Sequence, residues 1–146
     1  MADKVQSYAN HAQLVPMYHY VTFGILLATF IGACINLSQS WGDHARFYSA
    51  SLLVTLTFAT ILLALYARSF ALKAQDRAIR AEEQLRHYVM TGKLLDPRLD
   101  IRQVIGLRFA SNEEFVALAQ RAADQSMSAK DIKQAVRNWR ADTYRV

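Results

Sequence analysis

The sequence predicts an all-α fold: a two-span transmembrane helical hairpin, its second span continuing as a long cytoplasmic helix, then a small helical C-terminal unit. Three observations predict it. Met17–Leu37 and Phe47–Ala67 are two 21-residue stretches without a single Lys, Arg, Asp or Glu. Charge is segregated: Asp3, Lys4, Asp43 and Arg46 are the only charged residues before Arg68, and the other 25 begin with Arg68. No Gly or Pro interrupts the chain between Gly42 and Gly92. A 146-residue chain that is 53% hydrophobic and 20% charged, with a net charge of +5, is therefore not a uniform soluble globule. The lone Cys34 excludes an internal disulfide framework.

Residues 1–16 read as a cytoplasmic N-terminal segment. It is nearly uncharged and followed by no small-residue cleavage pattern, unlike a signal peptide. Pro16 opens the first span, where a missing N–H costs nothing. Each span, 17–37 and 47–67, makes a helix of roughly 31 Å, matching a hydrocarbon core of about 30 Å. The turn between them, 38–46, is too short for a domain and forces antiparallel neighbours. Only Arg46, balanced by Asp43, marks the turn, whereas Arg68, Lys73, Arg77, Arg80, Arg86 and Lys93 follow the second span. The positive-inside rule then puts both termini in the cytoplasm and the turn outside. Met17-Tyr18-His19-Tyr20 falls at the inner interface, and Trp41 with Tyr48 at the outer one.

Small or polar residues recur every four positions in the first span: Gly24, Ala28, Gly32 and Asn36. Such a stripe lets helix backbones approach closely in lipid. Packing within the hairpin is its first reading; a contact between protomers, or a docking on a foreign helix, is the second. The second span carries a longer pattern. Thr57, Thr60, Ala64, Ala67, Ala71, Ala74, Ala78, Ala81, Leu85 and Tyr88 alternate in steps of three and four, the heptad period of left-handed supercoils. This predicts an oligomer seam on one continuous helix from about Phe47 to Met90, with residues 68–91 as a cytoplasmic extension that Thr91-Gly92 terminates. Asp76–Arg80, Glu82–Arg86 and Glu83–His87 stand four apart as weak surface pairs. Leu72 and Ile79 need a cover.

Residues 92–146 form the small unit. Asp96-Pro97 predicts a helix start, with Ile101, Val104, Ile105 and Arg108 on one face. Ser111-Asn112-Glu113-Glu114 has the form of a capping box for a helix burying Phe115, Leu118, Ala119 and Ala122. Ser128 caps a last helix whose stripe is Ile132, Ala135, Val136 and Trp139. Lys130, Lys133, Arg137 and Arg140 make a basic face suited to anionic lipid headgroups. Nucleic acid is not an expected partner, because Asp131 and Asp142 dilute the patch and no Gly-containing turn separates the helices.

No catalytic, cofactor-binding or metal-binding residues are expected. His11, His19, His44 and His87 are scattered, and no nucleotide-binding loop, nucleophile elbow or zinc motif occurs. Neither span centre carries a charge, which argues against a proton relay.

The stretches Arg68–Glu83, Leu94–Leu99 and Leu107–Ser111 resemble a family of small bacterial membrane proteins known only as a domain of unknown function. The resemblance covers most of the chain. It implies a two-span bacterial protein with a cytoplasmic tail and carries no activity, cofactor or catalytic residue. The expected role is that of a homo-oligomeric inner-membrane protein, structural or interacting, contacting membrane lipid and its own copies. A second reading is an ion channel with Thr57 and Thr60 toward a pore and Arg68 and Lys73 at a basic inner mouth. A third is an accessory subunit of a larger membrane complex.

Overall fold

A computed structural model describes residues 6–10 and 14–142. Asp3, Lys4 and His11 lie outside the described residues. Five α-helices follow in order: α1 Phe23–Gln39, preceded by a π-helical turn Met17–Thr22; α2 His44–Thr91; α3 Ile101–Leu107; α4 Asn112–Asp124; and α5 Ala129–Ala135. The described residues fall into two compact units. One is Leu14–Ala71; the other joins Leu72–Val146 to Met1–Gln13, insofar as each is described.

In the first unit, Met17–Gln39 and α2 are each long and apolar enough to cross a membrane. The connection is tighter than the nine residues expected. Ser40 sends its hydroxyl back to Asn36 O at 2.7 Å, and Asp43 accepts the Arg46 N–H at 3.1 Å. A carboxylate serving as cap lets α2 start three residues before Phe47. The π turn has a matching wide bond, from the Thr22 hydroxyl to Met17 O at 3.0 Å.

The contact between α1 and α2 uses a face different from the one expected. On α1 the residues withdrawn from the surface include Phe23, Leu26, Phe30, Ala33 and Leu37. On α2 they include Phe47, Ala50, Val54, Thr57, Ile61, Ala64, Arg68 and Ala71. Most of these residues step by three and four, as residues on one face of a helix do. Ala33, Ala50 and Thr57 are buried. Phe30 lies 6.2 Å from Phe58, and the Tyr18 hydroxyl donates to Ala64 O. Gly24, Ala28, Gly32 and Asn36 stand outside this contact: all four are exposed, and a Cβ at Gly24 or Gly32 would meet nothing within 4 Å. Large side chains on the inward face provide more dispersion contact than glycines could, which is why the stripe turns away.

In the second unit, Gly92 closes α2 at φ +72, with its N–H on Tyr88 O at 2.7 Å. A left-handed residue there is what a helix stop requires. The next helix does not begin at Pro97. Asp96 instead accepts the Arg98 N–H at 2.9 Å and pairs with the Arg98 guanidinium, forming a turn. The cap moves to Asp100, whose carboxylate accepts the Gln103 N–H while the Gln103 side chain accepts the Asp100 N–H. That reciprocal box holds more donors than Asp96 could, and so it fixes the start of α3 at Ile101.

Ser111 precedes α4 without forming the expected capping box. The Glu114 carboxylate is drawn away to the N–H groups of Arg137 and Asn138 at 3.1 and 3.0 Å. Those amides are unpaired by helix because α5 ends at Ala135. Val136 turns extended, and Trp139 bridges to Ala110 rather than continuing the α5 stripe. Ser128 does cap α5, accepting the Asp131 N–H at 3.1 Å.

The core of this unit gathers Leu95, Leu99, Val104, Leu107, Phe109, Phe115, Leu118, Ala122 and Ile132. Helices α3 and α5 approach closely at Gly106, where an added Cβ would come 3.2 Å from Ala129 O. Outside the core, Arg98 bridges Asp96 and Asp124 at 2.7 and 2.9 Å. The Arg98 side chain first, and its backbone N–H second, hold the Asp96 carboxyl down at about 2 against an ordinary 3.8. A depressed carboxylate supports the fold above its unfolded value and loses that support as pH falls through about 2. The Asp96 carboxyl carbon, followed by NMR, is expected to titrate near that lower value, and to return toward 3.8 in Arg98→Ala.

Candidate interaction site

Two faces of α2 outside its apolar stretch differ in kind. One face is occupied by the chain itself. Ile79 and Glu83 are buried there, and Ile79 thereby receives the cover that its apolar side chain needs. Leu72 does not: it is 38% exposed. Glu83 pairs with Arg86 at 3.0 Å and with Arg140 at 3.6 Å. The Arg86 guanidinium also donates to Ala110 O and Asn112 Oδ1, each at 2.8 Å, and lies 4.1 Å over the Phe115 ring. Every arm of that guanidinium is thus engaged, which is the condition for burying an ion pair. The Arg140 N–H donates to Phe109 O at 2.8 Å, and Arg108 pairs with Asp142 at 3.0 Å. The segment after α5 is therefore strapped to α2 by charge.

Two of the expected weak pairs, Glu82–Arg86 and Glu83–His87, give way to this arrangement. Arg86 turns to Glu83, three residues back, instead of Glu82, because only Glu83 faces Ala110 and Asn112. Arg140, counted above with the basic face, spends its side chain on Glu83.

The other face carries much of the small-residue seam. Thr60, Ala67, Ala74, Ala78, Ala81, Leu85 and Tyr88 are exposed, whereas Ala64 and Ala71 are half-buried and Thr57 is buried. Thr57 gives its hydroxyl to Leu53 O at 2.8 Å, and Thr60 to Leu56 O at 2.8 Å. Arg68 is half-buried and Lys73 exposed. In the second unit the seam residues are centred about 150° around the helix from Ile79, Glu83 and Arg86, at 100° per residue. The two faces meet at one edge, where Ala78 and Glu82 line the cleft beside Arg140 and Asp142.

The profile of a family described as of unknown function, DUF6526, matches residues 1–146. The chain belongs to DUF6526. No curated protein and no solved structure was found to match it.

In this DUF6526 chain, among the described residues, no three His, Cys, Asp or Glu side chains come together as a metal site would require. The clefts beside Glu83, about 540 and 300 Å³, are lined by Glu82, Glu83 and Arg140 among others. Of these, Glu83 and Arg140 pair with one another. Glu83 and Arg86 were hidden from sequence reasoning because their partners stand 24 to 57 residues further on. One signal was available: Glu83 and Arg86 fall on the same helical face as Ile79, opposite the alanines.

Proposed function

We propose that this DUF6526 chain is a homo-oligomeric protein of the bacterial inner membrane with a structural or interaction role. On this reading the two apolar helices form a transmembrane hairpin, both termini lie in the cytoplasm, and copies associate along α2. The observation that carries it is α2 itself: a 48-residue helix whose most apolar stretch is only 11% buried and whose exposed edge is lined with alanine. A core helix of a soluble protein covers such a stretch with its own chain, and here only 6% of the corresponding stretch of Met17–Gln39 is covered. Lipid supplies the missing cover. Small residues then set the distance between copies. Basic residues of the tail, Lys130, Lys133 and Arg137, add contact with anionic headgroups.

The channel reading draws less support, since Thr57 is buried and its hydroxyl is committed to its own helix. An accessory role would use the exposed Gly24–Asn36 stripe. The mass of the particle extracted in mild detergent tests the proposal. A multiple of the 16.6 kDa chain is the expected result. A monomer with co-purifying foreign subunits would instead mark the accessory role.

A further inference from the structure

We propose that the stretch of α2 from Leu72 to Thr91 binds the same stretch of a second copy in parallel and in register. The inference rests on the self-association proposed above and names its geometry. With Ala78 and Leu85 at the first seam position of each heptad, Ala74, Ala81 and Tyr88 take the fourth. The flanking positions that face each other across a parallel pair are then Arg77 on one helix and Glu82 on its copy, in both directions by symmetry. Both side chains are exposed, and neither is paired in an ion bridge among the described residues. An antiparallel arrangement would put Arg77 and Glu82 on opposite sides of the seam, where they do not meet.

The apolar content of this face grows toward its end. Leu85, Tyr88 and Val89 are 63%, 53% and 76% exposed, and together they leave bare an amount of apolar surface that a single chain rarely leaves uncovered. Alanines at 74, 78 and 81 let two backbones come close, after which Leu85 and Tyr88 meet their own copies. The face of Ile79 and Glu83 is already filled by the strap, so a partner helix has the alanine side of α2, bordering the strap at Ala78 and Glu82. The chemistry that fits the face is that of the face itself: small, then apolar, with one plus and one minus charge offset by five residues.

Charge exchange in the full chain, purified in detergent, tests this. Arg77→Glu and Glu82→Arg each place like charges together twice per pair and are expected to weaken self-association about tenfold at low salt. The double exchange, Arg77→Glu with Glu82→Arg, restores it. In a Cys34→Ala background, Leu85→Cys and Tyr88→Cys each form disulfide-linked pairs of identical positions under mild oxidation. Both substituted positions are exposed, so the fold is left alone. An oligomer of unchanged mass and affinity in both single exchanges, with no same-position disulfides, overturns the parallel contact and leaves self-association standing on another surface. A wild-type chain that runs as a monomer overturns both.

Discussion

Glu83→Ala is expected to lower the stability of the Leu72–Val146 unit by about 3–5 kcal/mol, the usual cost of removing one partner from a buried ion pair. The Glu83 and Arg86 side chains are 5% and 11% exposed, so water cannot replace the lost carboxylate without opening the unit. Arg86 keeps its bonds to Asn112 and Ala110, which argues for the lower end of the range. Arg140→Ala is expected to cost no more than about 1 kcal/mol, because its side chain is 55% exposed and solvent screens the pair. Unfolding in urea can be followed by the fluorescence of Trp139, which lies 4.7 Å from Phe109, once Trp41 is replaced by Phe. A Glu83→Ala protein as stable as wild type would show that the strap is held by its backbone bonds alone. Arg86→Leu is a useful contrast, since it leaves the buried Glu83 carboxylate with only the half-exposed Arg140 as partner and is expected to be at least as damaging.

How much of this architecture could be read from the residues alone depended on range. The long helix was legible because its signals are local: no helix breaker from Asp43 to Thr91, and a glycine free to take φ +72 at its end. Helix α4 was legible for the same reason, since Phe115, Leu118, Ala119 and Ala122 repeat at helical spacing and all are buried. The caps were not. Asp96-Pro97 and Ser111–Glu114 both have the form of helix starts, but Asp96 is taken by Arg98, itself held by Asp124 26 residues on, and Glu114 by the distant amides of Arg137 and Asn138. Trp139 likewise sits at helical spacing from Val136, and pairs as extended chain with Ala110. In the apolar unit the small-residue stripe was visible, but which face of α1 meets α2 was not. Uncharged helices offer several heptad frames, and only packing volume chooses among them. The frame that meets α1 passes through Thr57, Ala64 and Ala71, so the seam expected for oligomerisation shares three residues with it.

Ala78→Glu is expected to convert the oligomer to monomer, the largest change in assembly that any single substitution on this face should produce. Ala78 is exposed in the single chain and lies in mid-helix, so a glutamate there is solvated and changes the stability of the monomer by no more than about 0.5 kcal/mol. Between two copies the same carboxylate enters a contact built for methyl groups. It is too large for the spacing and has no cation opposite, and its desolvation amounts to several kcal/mol per ion. Because that cost follows from burial and size, Ala78→Lys is expected to dissociate the particle as well, and neither loss is recovered in high salt. Arg80→Glu serves as the control: it shifts the charge further than Ala78→Glu does, but it stands about 120° around the helix from the seam and should leave the particle mass unchanged. Sedimentation in matched-density detergent reads all three. If Ala78→Glu sediments with the wild-type particle, copies meet elsewhere, and the exposed Gly24–Asn36 stripe of α1 becomes the surface to substitute next.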